Sequence, residues 1–187
     1  MQKTTVLFIQ GAGEGAYEAD KKLVKSLQQE LGTEYDIRYP TMPNEDNAKY
    51  DQWKQRIKKE LNAMNESIML GGHSVGASIL LKYLTEFDAK KKISGIFLIA
   101  GPFWGGEGWH YEGYEKLALP NGFAAKLRKN AQVFLYQSTD DEIVPFEHMA
   151  FYAHKLPQAT IRKTRGGHQL NNNLSIVAKD IRACLKI

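Results

Sequence analysis

Gly72-His73-Ser74-Val75-Gly76 sets a serine between two glycines in the pattern G-x-S-x-G. A serine hydroxyl is a weak nucleophile until a base takes its proton, and the base needs an acid to orient it. The chain supplies both downstream. Asp140 and Asp141 lie in Ser138-Thr139-Asp140-Asp141-Glu142-Ile143-Val144-Pro145, and His168 follows two glycines in Gly166-Gly167-His168. Ser74, an acid at 140 or 141, and His168 are the parts of a triad for acyl transfer. Each also has a plainer reading. A serine before a helix can cap it, aspartates favour turns and N-caps, and His168 stands close to a helix starting near Asn171. All three residues fall just past strand-like runs, which favours the chemical reading.

The surrounding elements fit that chemistry. An apolar run over 67–71 leads into the motif, and an amphipathic run from Ala77 to Phe87 follows, with Ile79, Leu80, Tyr83 and Leu84 apolar. Strand, sharp turn and helix would expose the hydroxyl at the end of a sheet. The glycines are needed where a Cβ would strike the adjacent strand or helix. The Val75 N–H and the helix N-terminus would lie beside the hydroxyl, ready to stabilise an oxyanion. Strands are expected near 4–10, 35–39, 67–72, 93–100, 131–137 and 159–164, and helices near 16–31, 48–64, 75–87, 146–155 and 172–185. This alternation predicts an α/β fold: a three-layer sandwich with a mostly parallel sheet of about six strands, covered by helices on both faces. One domain over 1–187 has ample core at this length.

Gln10-Gly11-Ala12-Gly13 after the first strand, the 72–76 motif, Ser138 to Pro145, and Gly166-Gly167-His168-Gln169-Leu170 together resemble the α/β-hydrolase superfamily. Within it the chain is similar to the short serine hydrolases of the YdeN and retinoblastoma-binding-protein type. Trp53, downstream of Tyr39-Pro40 and Pro43, also suits that subgroup. In this superfamily the triad runs Ser, acid, His along the chain. The resemblance implies Asp141 as the acid, because it stands four residues before Pro145 in a D-x-x-V-P pattern, with Asp140 in reserve. Many members carry His-Gly after the first strand, whereas Gln10-Gly11 stands here. The oxyanion hole would then use the backbone N–H groups of Val75 and of Ala12 or Gly13, which need no particular side chain. Glu14 lies nearby and must point away or be paired.

Other readings compete. Gly11-x-Gly13-x-x-Ala16 after an apolar strand matches the dinucleotide fingerprint, although the second strand ends in Arg38-Tyr39-Pro40 rather than in an acid. A hydrolase fold can also serve mainly to bind another protein. His73 is expected to point away from the site and pack, and His110, His148 and His154 to lie on the surface or on helix faces. No P-loop, H-E-x-x-H or C-x-x-C occurs, so neither cofactor nor metal is expected. The net charge of +4 is a modest excess without a concentrated basic stripe, and nucleic-acid binding is not expected. The single Cys184 fits a reducing compartment. With no signal peptide and no bilayer-spanning apolar run expected, a cytoplasmic location follows.

Between 101 and 122 the pattern breaks into a glycine-rich, aromatic stretch containing Phe103, Trp104 and Trp109. It follows a strand, so it should emerge at the same end of the sheet as Ser74. A short cap lending aromatic walls to an acyl or alcohol pocket is expected there. The alternative is an ordinary connection whose aromatics pack against the domain. The expected reaction is hydrolysis of a small ester, thioester or amide.

Overall fold

The computed structural model describes residues 3–64, 67–87, 92–105, 113–127 and 131–185. Six strands form one sheet: β1 (Thr4–Ile9), β2 (Tyr35–Arg38), β3 (Ser67–His73), β4 (Lys92–Ile99), β5 (Gln132–Ser138) and β6 (Thr160–Thr164). Their order is β2-β1-β3-β4-β5-β6, and every pairing is parallel. Among the described residues, α1 (Ala16–Leu31), α2 (Tyr50–Asn62), α3 (Val75–Glu86) and α4 (Glu147–Lys155) lie between strands, and α5 (Ser175–Cys184) follows β6.

The central strands are apolar on both sides because helices cover both faces, whereas the edge strand β6 (Thr-Ile-Arg-Lys-Thr) alternates between half-buried and exposed. In β1, Leu7 and Ile9 face a core shared with Trp53, Ile57 and Leu61 of α2, Ile79 and Leu80 of α3, and Met149 and Tyr152 of α4. Val6 and Phe8 face the opposite core, with Leu23, Leu27 and Leu31 of α1 and Val177, Ala178 and Ile181 of α5. The period-two split within one continuous apolar run is what a strand buried on both faces requires. α2 exposes one side and buries Trp53, Ile57 and Leu61 at i, i+4 spacing, whereas α3, which carries the serine turn, is buried almost all round.

The strand order places the site. Chain connections leave β1 toward β2 on one side and β3 toward β4 on the other, so a crevice opens between the carboxyl ends of β1 and β3. Register carries Ile9 opposite Gly72, which brings the Gly11–Gly13 loop beside Ser74. The elements expected from sequence are present with small shifts at their ends. The largest is in the last helix, which starts at Ser175 rather than near 172, because Leu170, Asn171 and Asn172 adopt left-handed backbone with φ of 48°, 50° and 54°. Among the described residues no helix is long and apolar enough to cross a membrane.

Candidate active site

Ser74 sits where β3 turns into α3, with φ 53° and ψ −130°, outside the regions that side chains other than glycine readily adopt. The turn is held by the Ser74 N–H donating to the Ile99 carbonyl at 2.8 Å and by the Ala77 N–H donating to the Ser74 carbonyl at 3.0 Å. Two glycines make it possible. A Cβ on Gly72 would lie 2.8 Å from Ala77 Cα, and a Cβ on Gly76 would run into the carbonyl oxygen of Gln10. The motif therefore lets α3 pack directly on β1 and β3. Val75 opens α3, so its N–H has no partner within the helix and lies beside the serine.

Asp141 and His168 meet across loops that follow β5 and β6. His168 Nδ1 lies 3.1 Å from Asp141 Oδ1 and 3.0 Å from Oδ2. The carboxylate is itself fixed: Oδ1 accepts the Ile143 and Val144 N–H groups at 2.9 Å each, and Oδ2 accepts Gln137 Nε2 at 2.8 Å. Burial works against its ionisation, but His168 and the two amides outweigh that and hold Asp141 below the usual carboxylate range. With Nδ1–H committed to Asp141, the lone pair of the imidazole is on Nε2, the arrangement a general base needs. Asp140 does something else. It accepts the Gly166 and Gly167 N–H groups, from 3.0 Å and 3.2 Å, and so shapes the turn that carries His168. Among the described residues neither Ser74 Oγ nor His168 Nε2 has a hydrogen-bond partner, which leaves both free to engage a substrate.

The loop after β1 offers one amide. Gly11 N–H donates to Asp20 Oδ2 at 2.7 Å, and Gly13 N–H donates to the Glu45 carbonyl at 2.7 Å. Ala12 is left as the amide of that run without a partner among the described residues. Glu45 also organises the neighbourhood through its side chain, which accepts Gln10 Nε2 at 2.6 Å, Gly15 N–H at 3.0 Å and Tyr17 N–H at 2.7 Å. The N-terminus of α1, where the dinucleotide fingerprint would seat a pyrophosphate, is thus already filled by a carboxylate of the chain itself. Gln10, where many hydrolases have histidine, is buried and also accepts the Met42 N–H at 3.1 Å, a bracing role. Glu14 is exposed.

Residues 20–174 match the family described as serine hydrolase. The chain belongs to the serine hydrolase family. YdeN of Bacillus subtilis (strain 168) is 26% identical over 138 residues, covering 70% of this chain and 68% of that protein. The crystal structure of that gene product superposes with a TM-score of 0.70 at 20% identity, covering 100% of both chains. An esterase domain from a Rhodothermus marinus protein matches with a TM-score of 0.67 at 16% identity, covering 98% of this chain and 87% of the other. A methylesterase from Arabidopsis gives 0.67 at 15% identity, covering 98% and 100%. These likenesses show the α/β-hydrolase fold.

The aromatic stretch of this serine hydrolase divides. Trp104 stacks on Tyr114 with ring centres 5.0 Å apart and is buried with Leu117 and Phe123 against the α3 side of the core. It is 5% exposed and packs against the domain, where a large apolar ring contributes most of its area to the core. Phe103 is half-buried, edge-on to Tyr152 at 5.0 Å and tilted on Phe151 at 5.7 Å. Trp109 and His110 lie outside the described residues. His148 lies on the buried face of α4, and its Nδ1 accepts the Phe103 N–H at 2.8 Å. Burial pushes it below the usual imidazole range, which keeps that nitrogen an acceptor.

Sequence reading missed a buried polar cluster behind the site. His73 does more than pack, and its ring borders the site, with its centre 4.7 Å from that of His168. Its Nδ1 lies 2.9 Å from Asp20 Oδ2 and its Nε2 3.0 Å from the His168 carbonyl oxygen. Asp20 Oδ1 accepts Gln169 Nε2 at 2.9 Å. One signal was available in the sequence. Asp20 shares a stripe with Leu23, Leu27 and Leu31, the buried face of α1, and a carboxylate on such a face needs partners.

Proposed function

We propose that this serine hydrolase cleaves a small ester, thioester or amide through an acyl-enzyme on Ser74, with His168 as general base and acid and Asp141 as its orienting carboxylate. The observation that carries this reading is the His168–Asp141 pair, whose carboxylate side chain is fully buried and whose imidazole is 10% exposed at the crevice beside the Ser74 turn. His168 Nε2 takes the hydroxyl proton as Ser74 Oγ attacks the carbonyl carbon. Asp141 holds the tautomer and stabilises the imidazolium. The Ala12 and Val75 N–H groups, one from each side of the crevice, donate to the oxyanion, helped by the N-terminus of α3. His168 then gives the proton to the leaving group, and water attacks the acyl-enzyme by the same route in reverse. No cofactor takes part in these steps.

The esterase character of the Rhodothermus and Arabidopsis structures supports an ester as the first substrate to try. A small or shallowly bound acyl group is the reading to test first, with Phe103 as a candidate aromatic surface beside it. Labelling with a fluorophosphonate, read by intact mass, tests the assignment. One adduct is expected on the wild type and none on Ser74→Ala or His168→Ala. An adduct that persists on folded Ser74→Ala would overturn it.

A further inference from the structure

Asp20 and His73 are both buried, and neither touches the reacting atoms of the mechanism above. Their hydrogen bonds determine their charges. The His168 carbonyl can only accept, so the His73 Nε2 facing it at 3.0 Å carries a proton. Asp20 Oδ2 already accepts the Gly11 N–H at 2.7 Å, and Oδ1 accepts Gln169 Nε2 at 2.9 Å. A carboxylate surrounded by donors is ionised, and the His73 Nδ1 at 2.9 Å from it then carries a proton as well. His73 is therefore an imidazolium paired with a carboxylate.

The bonds of this pair end on the segments that must be in register for acyl transfer. Gly11 immediately precedes Ala12, the candidate oxyanion donor. His73 immediately precedes Ser74. His168 is held by its own carbonyl, and Gln169 follows it. The packing is close: a Cβ on Gly11 would lie 3.2 Å from Ser74 Cβ and 3.4 Å from His73 Nδ1, and the His73 and His168 rings are 4.7 Å apart at 50°. Resting on the serine hydrolase reading, we propose that Asp20 and His73 form a positioning pair that fixes the base and the oxyanion loop relative to Ser74.

The charged and titratable groups facing His73 are Asp20 from α1, His168 from the loop before α5, and, at longer range, Asp141 from the loop after β5. Burial opposes the charge on His73, but Asp20 and the two hydrogen bonds outweigh it and hold the group above the usual imidazole range. Asp20 is held below the usual carboxylate range, against its burial, chiefly by His73 and then by the Gly11 and Gln169 donors. A neutral His73 would present a lone pair to either the carbonyl or the carboxylate, and one of the two bonds would open. The pair is thus intact below the pKa of His73 and is lost as pH rises through it.

The test uses the full chain, Asp20→Asn and His73→Gln, with folding checked by circular dichroism. The rate of fluorophosphonate adduct formation is followed across pH by intact mass. Both variants should react about 100-fold more slowly than wild type, the usual effect of misplacing catalytic groups by about 1 Å. The wild-type rate should also fall reversibly on the alkaline side, and that limb should be missing from His73→Gln. Folded variants with a lowered melting temperature but wild-type rates and pH profile would mean a purely structural pair and overturn the proposal. A wild type that does not label would sink the enzyme reading, and this role with it. A wild type that labels alongside an equally reactive Asp20→Asn would sink this role alone. Long-range ¹H–¹⁵N spectra of the wild-type imidazoles need no variant: both His73 nitrogens should be protonated at neutral pH, and a neutral ring would refute the pair.

Discussion

Replacing Asp141 by asparagine removes one charge and no volume, and the structure determines which way the new amide must turn. Asp141 Oδ1 accepts two backbone N–H groups, from Ile143 and Val144, at 2.9 Å each. Oδ2 accepts Gln137 Nε2 at 2.8 Å, and both oxygens face His168 Nδ1, Oδ2 at 3.0 Å and Oδ1 at 3.1 Å. If the amide nitrogen took the Oδ1 place, it would confront two fixed backbone donors. If it takes the Oδ2 place, it confronts only Gln137, and it can donate to His168 Nδ1. The second arrangement is favoured, and when His168 Nδ1 accepts from that amide the imidazole proton sits on Nε2, so the base loses its lone pair. Wrong-tautomer imidazoles in serine hydrolysis lose about 10⁴ in kcat, which is about 5.4 kcal/mol of transition-state stabilisation. The assay is the second-order rate of fluorophosphonate labelling beside hydrolysis of a short-chain nitrophenyl ester, at neutral pH, on protein with a native dichroism spectrum. Asp140→Asn is the control. It keeps one acceptor for the Gly166–Gly167 turn, so a change within about fivefold is expected, the scale of about one exposed hydrogen bond. A folded Asp141→Asn protein labelling within tenfold of wild type would refute the tautomer argument, and a larger loss in Asp140→Asn would move the acid to its neighbour.

Gly76→Ala should destabilise the fold by about 3 kcal/mol or more, because its Cβ has only the Gln10 and Ile9 carbonyls to displace; urea unfolding measures this, and a wild-type midpoint would contradict the packing of α3 on β1. Asp20 and Asp141 are both held below the usual carboxylate range. A depressed folded pKa gives stability that is fully present above the unfolded value and is lost as pH falls through the folded one. Unfolding free energy should therefore fall on the acid side of the usual carboxylate range, and Asp20→Asn should fall less steeply there than wild type; His73, held above the usual imidazole range, adds stability that is present at lower pH and lost as pH rises through its folded pKa.

The sequence by itself determined the elements and the chemistry they present. Apolar runs, amphipathic spacing and the glycines of 72–76 are local properties, each readable within a span of about ten residues. They sufficed for an α/β sheet, for a serine on a strained turn, and for His168 on a glycine-led loop. Asp141 could be preferred to Asp140 only through the resemblance, since both are turn formers one residue apart. Their separation is geometric: successive side chains leave the loop in different directions, one toward the His168 ring and the other toward the Gly166 and Gly167 amides. The tertiary structure alone decided the rest. Gln169 meets Asp20 across 149 residues and His73 meets it across 53. Such contacts depend on the strand order that brings the ends of β1 and β3 together, and no local pattern encodes that order. The same holds for Glu45 closing the N-terminus of α1, for His148 turning inward to Phe103, and for Trp104 joining the core. Burial and hydrogen-bond partners are properties of the assembled chain, and they decide whether a polar residue is surface, brace or part of the site.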